Sequence, residues 1–443
     1  MLNRLYWTAI SAWHAQRDLR VPWWPLEKVL LLQQRRLGAM VRFAYGHVPF
    51  YREEMRKLGL RPEDIRTADD LALLPILTKQ EVGARPERFR APQSVLRAAL
   101  RIQSSGTSGH AKYIDYDARA LFLSLAAGQR MRAVMAPFVG ANLGYREAAI
   151  ARSGSVSTQL REFYERHSWT PRRVDLSRLI LSPADPFEVL LARVNDFRPD
   201  VLRGYGSHLG AFLRWIHMRQ APSHRPRAVA YGADGMPERD RRLIEQEMGI
   251  PVFSNYQAVE ALRLAYQCEQ RRGLHIHIDH VAVRVVDRDG RTLPAGVPGE
   301  IVISNLTNRA TVLLNYRLGD VVTLGREPCP CGRSLPTLDG IQGRDDDLVL
   351  LPGGSVAHPL SLLAVLQKIP GVIQVQLVQE ELRRFLLRAA CAAGADWRAV
   401  AAQLDAAMRS ALGPDILLRL EPCERIEPGP SGKVRAVISL CRD

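Results

Sequence analysis

Residues 102–117 read IQSSGTSGHAKYIDYD, which puts Ser104, Ser105, Gly106, Thr107, Ser108 and Gly109 into one loop and follows them with Lys112. Glycine lets a backbone approach a ligand closely, and successive N–H groups beside Ser and Thr hydroxyls cradle phosphate oxygens. The same string would also suit a plain surface turn or a flexible linker. It does not fit the nucleotide P-loop, whose two glycines are separated by four residues and lead straight into Lys-Ser/Thr. Here Gly106 and Gly109 are three apart and Lys112 comes late, so a phosphate-binding role would belong to another fold.

A second group of residues could hold a metal. QCEQRRGLHIHIDH carries Cys268, His275, His277 and His280, and EPCPCGRSLP carries Cys329 and Cys331 in a tight knuckle that ends in glycine. Three thiols and one histidine complete a tetrahedral structural Zn²⁺ site. His275, after Gly273-Leu274, is the first choice for the fourth ligand, and His277 on the same face of a strand is the alternative. The competing reading is reduced cysteine packed as a small hydrophobe, which suits a lone cysteine better than Cys-Pro-Cys-Gly. Six cysteines in 443 residues do not make a disulfide scaffold.

The elements that must position these residues follow from pattern. A chain of 443 residues can bury a large core and should divide into at least two domains. Its 47% hydrophobic and 24% charged residues are those of an ordinary globular protein, and the absence of any uninterrupted apolar run of about 18 residues argues against integral membrane association. The opening MLNRLYWTAISAWHAQRDLR reads as an amphipathic helix covering the large domain's own core, and a cytoplasmic location is expected. The net charge of +15 is spread along the chain rather than gathered into a basic block, which argues against nucleic acid as a partner. RPDVLRGYGS, HLGAFLRWIHMRQ, RAVAYGADG, PERDRRLIEQEMG and PVFSNYQ alternate as strand and helix, an α/β pattern with ligand sites at the carboxyl ends of the strands. HVAVRVVDRDGRTLPAGVPGEIVISNL then alternates about an Asp-Gly turn as antiparallel β structure. From QGRDDD onward the pattern becomes strand, turn, helix, strand, strand, helix, a compact α+β unit.

SSGTSGHAK, YGADGMP, NYQAVE, NYRLGD, GRDDD and PSGKV stand in a fixed order, and that ordered set resembles the adenylate-forming superfamily, specifically the phenylacetate–CoA ligase family. VRFAYGHVPFYREEMRKLGLRPEDI and LPILTK near the N-terminus are similar to that family as well. The resemblance implies an α/β fold with a large N-terminal domain over 1–343, of α/β sheets plus a distorted β-barrel region, and a small mobile C-terminal α+β domain over 344–443. It implies ATP-dependent activation of a carboxylic acid to an acyl-adenylate, with release of pyrophosphate and transfer to a thiol, most simply coenzyme A. The Ser104–Lys112 loop would hold the leaving phosphates, Tyr256 would face adenine, Glu260 would ligate Mg²⁺, and Asp320 would take both ribose hydroxyls with Arg344 nearby. Ala233, Asp234 and Asn255 fall with these in the nucleotide site, and Tyr205, Gly206, Tyr231, Gly232 and Gln257 border the acyl pocket. Lys433 matches the lysine that the small domain brings over the α-phosphate, and Asp346 occupies the hinge about which that domain rotates. Only six of the 61 basic residues are lysine, which singles out one set in such a motif.

The chain departs from the family pattern at several positions. Val259 stands where a hydroxyl would touch the α-phosphate, Gln257 replaces a glycine, and His110 and Ala111 replace a common Lys-Pro. GADG stands where Gly-Ala-Glu-Pro is common. These changes leave two other readings open, a binding protein that has lost turnover, or an adenylating enzyme whose acceptor is an amine or a carrier protein. Oligomeric state and the identity of the acid are not legible.

Overall fold

The computed structural model describes residues 2–103, 113–152, 154–169, 177–344, 349–352, 356–357, 359–366, 368–427 and 434–441. Two long helices open the chain, α1 (Leu2–Arg20) and α2 (Leu26–His47). In α2 the buried residues Val29, Gln33, Leu37, Met40, Val41 and Ala44 recur every three or four positions and so form one face. Helices α3 (Pro49–Lys57) and α4 (Lys79–Ala84) follow. The latter starts with a capping box in which Thr78 and Glu81 each accept the other's backbone N–H.

A hairpin comes next. Strands β1 (Leu100–Gln103) and β2 (Tyr113–Tyr116) pair antiparallel, with Gln103 opposite Tyr113, so the register brings together the two ends of the Ser/Gly segment. The segment itself, 104–112, lies outside the described residues. After α5 (Ala118–Ala127) and α6 (Gln129–Val139), strand and helix alternate. The order is β3 (Glu147–Ile150), α7 (Val156–His167), β4 (Arg178–Leu181), α8 (Phe187–Phe197), β5 (Val201–Tyr205), α9 (Gly206–Met218), β6 (Ala228–Gly232), α10 (Glu238–Arg242) and β7 (Val252–Tyr256). These strands pair in parallel as β4-β3-β5-β6-β7. Both faces are covered, because alternate residues enter different cores: Val201, Ala228, Ala230 and Phe253 on one side, Leu202, Val229 and Val252 on the other.

Beyond β7 the same sheet continues in antiparallel pairing through β8 (Ala265–Tyr266), β9 (Leu274–Ile276), β10 (Val281–Val286), β11 (Pro298–Asn305), β12 (Tyr316–Leu324) and β13 (Thr337–Arg344). The eleven strands run β10-β11-β12-β13-β9-β8-β7-β6-β5-β3-β4. The turn between β10 and β11 contains Gly290 at φ +83°, a left-handed conformation that glycine adopts without steric cost.

A third core draws only on residues from Val349 to Val437. It holds the short pair β14 (Val349–Leu350) and β15 (Val356–Ala357), then α11 (Pro359–Leu366), β16 (Val372–Glu381), β17 (Arg384–Cys391), α12 (Trp397–Leu412), β18 (Leu417–Cys423) and β19 (Val437–Ser439). Its sheet runs β18-β17-β16-β19, and α12 buries Val400, Leu404, Met408 and Leu412 against it. Arginines from the large unit donate to carbonyls at the start of β16: Arg214 to Ile373, and Arg239 to Val372 at 3.0 Å.

Helix α1 packs on α5 and α6, with Trp7 stacked on Phe122 at 4.8 Å. A buried ionic network fastens its end. Arg130 of α6 takes both oxygens of Asp279 at 2.9 and 2.8 Å and donates to the Asp18 carbonyl, while His280 meets the Asp18 carboxylate at 2.9 Å. Burial opposes the charge on Asp279, but Arg130 and then His280 overcome it and hold the carboxyl well below its usual range. No helix among the described residues is long and apolar enough to cross a membrane.

His14 and His208 are both pushed down to about 4, by burial first. His208 sits edge-on to Phe187 at 5.5 Å, and its Nε2 has no protein partner among the described residues. The unfolded chain therefore takes up protons between pH 6.5 and 4 that the fold refuses. Their stability contribution is complete above pH 6.5 and falls as the pH drops, for His208 by up to about 1.4 kcal/mol per pH unit. Denaturant unfolding between pH 7 and 5 should show this slope, and His208→Leu should flatten it. An unchanged slope in that variant would remove His208 from the account.

Candidate active site and metal cluster

The carboxyl ends of β5, β6 and β7 open into a cavity of ≈ 2860 Å³, lined also by residues of β12 and of the C-terminal segment Val434–Ile438. Ligand sites in open α/β sheets lie at these strand ends because the loops there are free to vary while the sheet is fixed. At the end of β6, Ala233 adopts φ +72°, a conformation that costs a non-glycine residue about 1–3 kcal/mol. The turn is held by the next residue: Asp234 accepts from the Gly206 N–H and, at 2.5 Å, from the Ser207 hydroxyl, both in the first turn of α9. A carboxylate is favourable there because it meets unpaired N–H groups at the positive end of the helix dipole.

Across the cavity, Tyr256 at the end of β7 donates its hydroxyl to Asp320 in the middle of β12. Glu260 is held at both ends: Asn305 Nδ2 donates to its carbonyl at 2.9 Å, and the Tyr316 hydroxyl donates to its carboxylate at 3.4 Å. Tyr116 of β2 donates to the Val259 carbonyl at 2.6 Å, tying this loop to the hairpin that flanks the Ser/Gly segment. Asn255 bridges β7 to the Tyr231 carbonyl at 2.9 Å and accepts from Gln257 at 2.5 Å. Two carboxylates thus face one cavity with tyrosine hydroxyls orienting both.

Of the sequence-derived site residues, Tyr205, Tyr231, Gly232, Ala233, Asp234, Asn255, Tyr256, Gln257, Glu260 and Asp320 line this cavity. Arg344 ends β13 directly opposite Asp320 in the strand register. Gly206 has a different place: a Cβ there would stand 2.7 Å from the backbone of Gly235 and Met236, so the residue lets α9 pack against the β6 turn. Ser104, Ser105, Gly106, Thr107, Ser108, Gly109, Lys112, Asp346 and Lys433 lie outside the described residues. Val434, the residue after Lys433, lines the cavity. Sequence reasoning missed Tyr316, the first residue of YRLGD and of β12, which reaches Glu260, and Lys79 of LPILTK, which also lines the cavity. The second is within reach of the sequence, since Lys79 closes LPILTK, a stretch that carries part of the family resemblance.

The cysteines and one histidine meet away from these carboxylates. The ligand atoms of Cys268, His275, Cys329 and Cys331 all lie within 4.8 Å of one another. Cys268 and Cys329 sulfurs are 3.7 Å apart, and Cys331 Sγ is 3.3 Å from His275 Nε2. A metal–sulfur bond of about 2.3 Å gives a tetrahedral edge of about 3.8 Å, so the sulfur spacing fits a bound ion. His275 Nδ1 donates to the Leu335 carbonyl at 3.0 Å, which leaves Nε2 with its lone pair toward the thiols. Burial, with the neighbouring thiols adding, pushes the Cys268 thiol up to about 12, a crowding that a cation would relieve. His277 turns elsewhere, its Nδ1 accepting from Arg130 at 2.9 Å. The knuckle is braced by Arg333, which pairs with Glu269 at 2.7 Å and covers the Trp23 ring. Asp18, Asp279 and His280 form another acid and histidine group, but there Arg130 and Arg36 already pair with Asp279, and His280 meets both carboxylates.

No family model matches the chain. It is 29% identical over 366 residues to the phenylacetate–coenzyme A ligase of Thermus thermophilus, covering 79% of this chain and 77% of that one. The phenylacetate–coenzyme A ligase of Escherichia coli is 25% identical over 344 residues, covering 75% and 74%. Among solved structures, 2-hydroxyisobutyryl-CoA ligase in its postadenylation state superposes with a TM-score of 0.76 at 19% identity, over 95% of this chain and 91% of that one, a likeness of fold. Sequence similarity along three quarters of the length and a common two-part fold concur: the chain is a homologue of the phenylacetate–CoA ligases and has the fold of the adenylate-forming enzymes.

Proposed function

We propose that the protein activates a carboxylic acid with ATP, forming an acyl-adenylate and releasing pyrophosphate, and then passes the acyl group to the thiol of coenzyme A. The observation that carries this reading is the pair Glu260 and Asp320, each oriented by a tyrosine, facing one cavity that the C-terminal segment also lines. Adenylation brings two anions together, so the site must neutralise charge while pyrophosphate leaves. In this reading Asp320 accepts from the ribose hydroxyls, with Arg344 beside it, Tyr256 faces adenine, and Asn255, Ala233 and Asp234 border the nucleotide. Glu260 offers Mg²⁺ a hard oxygen, and the ion when bound adds positive charge against the phosphates. The Ser104–Lys112 loop takes the leaving phosphates, and its anchoring by the β1–β2 hairpin supports that role.

Lys433 supplies the charge over the α-phosphate, and rotation about Asp346 lets the small unit exchange this lysine for a thioester-forming arrangement. Among the described residues the hydrogen bonds between the two units run from Arg214, Arg239 and Arg425 to backbone carbonyls, which supports such a rotation, since each can be exchanged for water at little cost. Cys268, His275, Cys329 and Cys331 hold a structural Zn²⁺ that pins the segment before β13 to β8 and β9.

Exchange of labelled pyrophosphate into ATP, run with pools of aromatic, aliphatic and amino acids, tests the first step. Mass spectrometry for the CoA thioester tests the second. Exchange with transfer only to an amine or a carrier protein would change the acceptor. ATP binding with no exchange in any pool would make this a binding protein of the same fold.

A further inference from the structure

The cavity does not end at the nucleotide side. It continues down the face of the parallel sheet, where Tyr205 and Arg203 of β5 and Ala149 and Glu147 of β3 alternate onto one surface. Arg178 begins β4 opposite Glu147 in register, Arg132 reaches in from α6, and Arg263 enters from the loop after β7. Four guanidinium groups therefore line this end of the cavity.

Glu147 is the carboxylate they meet. Arg203 Nε lies 3.3 Å from it and Arg178 Nε 3.8 Å. Burial alone would raise the Glu147 carboxyl, yet Arg203, then Arg178 and Arg132, hold it down to about 2. Arg132 covers the Tyr145 ring at 5.7 Å, and Arg263 donates Nε to the Ser124 carbonyl at 2.8 Å. Neither forms a close ion pair with a carboxylate among the described residues. Burial first, with Arg203 and Arg132 adding repulsion, lowers Arg263 to about 10. Among the described residues, Glu147 against these four guanidinium groups leaves an excess of positive charge in a cavity wall, where unpaired charge is costly and an anion is correspondingly favoured.

We propose that the acid taken by this cavity carries a second anionic group, in its simplest form a second carboxylate, which sits against Arg132, Arg178, Arg203 and Arg263. The carboxylate that reacts lies toward Glu260 and Asp320, and the second lies at the arginine end. This inference rests on the adenylation reading for the first carboxylate, but the arginine end has its own readout. Arginine suits the role because its planar fork can take both oxygens of a carboxylate.

The test compares acids matched in length: linear dicarboxylates with the corresponding monocarboxylates, and homophthalate with phenylacetate. Exchange kinetics and thermal stabilisation of the nucleotide-free protein are measured for wild type, Arg132→Gln and Arg178→Gln. A dianion should exceed its monoanionic partner by at least about 10-fold in kcat/KM, and either variant should shrink that ratio to within about 3-fold. Stabilisation by dianions through Arg132, with no exchange for any acid, would uphold the anion site while removing the adenylation reading. Monoanions performing as well as dianions in both measurements would overturn the proposal. So would weaker ATP binding by Arg132→Gln in the absence of acid, since the guanidinium groups would then serve the nucleotide.

Discussion

Replacing Lys433 with alanine is expected to lower acid-dependent pyrophosphate exchange by about 10²- to 10³-fold, the usual cost of removing one charge-stabilising donor from a transition state. The α-phosphate gains charge density only as the acid attacks, so the loss should appear in kcat more than in the KM for ATP. The proposal that the small unit exchanges this lysine for another arrangement adds a sharper expectation. Thioester formation from synthetic acyl-adenylate and CoA should continue near the wild-type rate in Lys433→Ala, because that half-reaction uses the other arrangement. The position of Val434 on the cavity wall is the structural ground for this role. Exchange at the wild-type rate would remove Lys433 from the chemistry. Equal loss of both half-reactions would mean that the variant fails in folding or in docking of the small unit.

Metal analysis should find one zinc per chain, and Cys331→Ala should lose it. Stripping the metal with a strong chelator should lower the unfolding temperature by about 10 °C, since a structural ion contributes its binding energy to folding and a few kcal/mol moves a large domain by that much. The reasoning is electrostatic. Cys268 is buried, Cys329 nearly so, and their sulfurs stand 3.7 Å apart, too close for both to be thiolates without a cation between them. Loss of the ion should free the knuckle from β8 and β9 and, through Arg333 and Trp23, loosen the turn that follows α1. Protein purified without metal and indifferent to chelation would make these thiols packed hydrophobes. A cobalt-substituted sample would separate the cases independently, since tetrahedral thiolate ligation has a visible absorption signature.

The physical reason that so much of the candidate site could be read from the chain is that its parts are short and contiguous. YGADG, NYQAVE and YRLGD lie at strand ends or within one strand, where a few consecutive residues supply the turn, the ring and the carboxylate together. Their order along the chain is the order in which the parallel strands and β12 present them to one cavity. The alternation of strand and helix, the Asp-Gly turn before β11 and the change of pattern after QGRDDD are likewise local, because hydrophobic period and turn chemistry act over a few residues.

What the chain could not reveal by itself was which distant side chains meet. Arg132, Glu147, Arg178, Arg203 and Arg263 come from α6, β3, β4, β5 and a loop, with no spacing that links them, and only the parallel register and the packing of α6 place them on one wall. Tyr316 reaches Glu260 across 56 positions. Gly206 has the composition of a pocket residue and the position of a packing residue, a distinction made by the close backbone of Gly235 and Met236. The choice between His275 and His277 has the same character. Both stand on one face of one strand segment, but the Leu335 carbonyl orients the first toward the thiols and Arg130 engages the second. Sequence determined the residue types and the local geometry, and tertiary packing decided their partners, because a ligand set or a charge cluster is a property of distances between elements that only the folded sheet brings into contact.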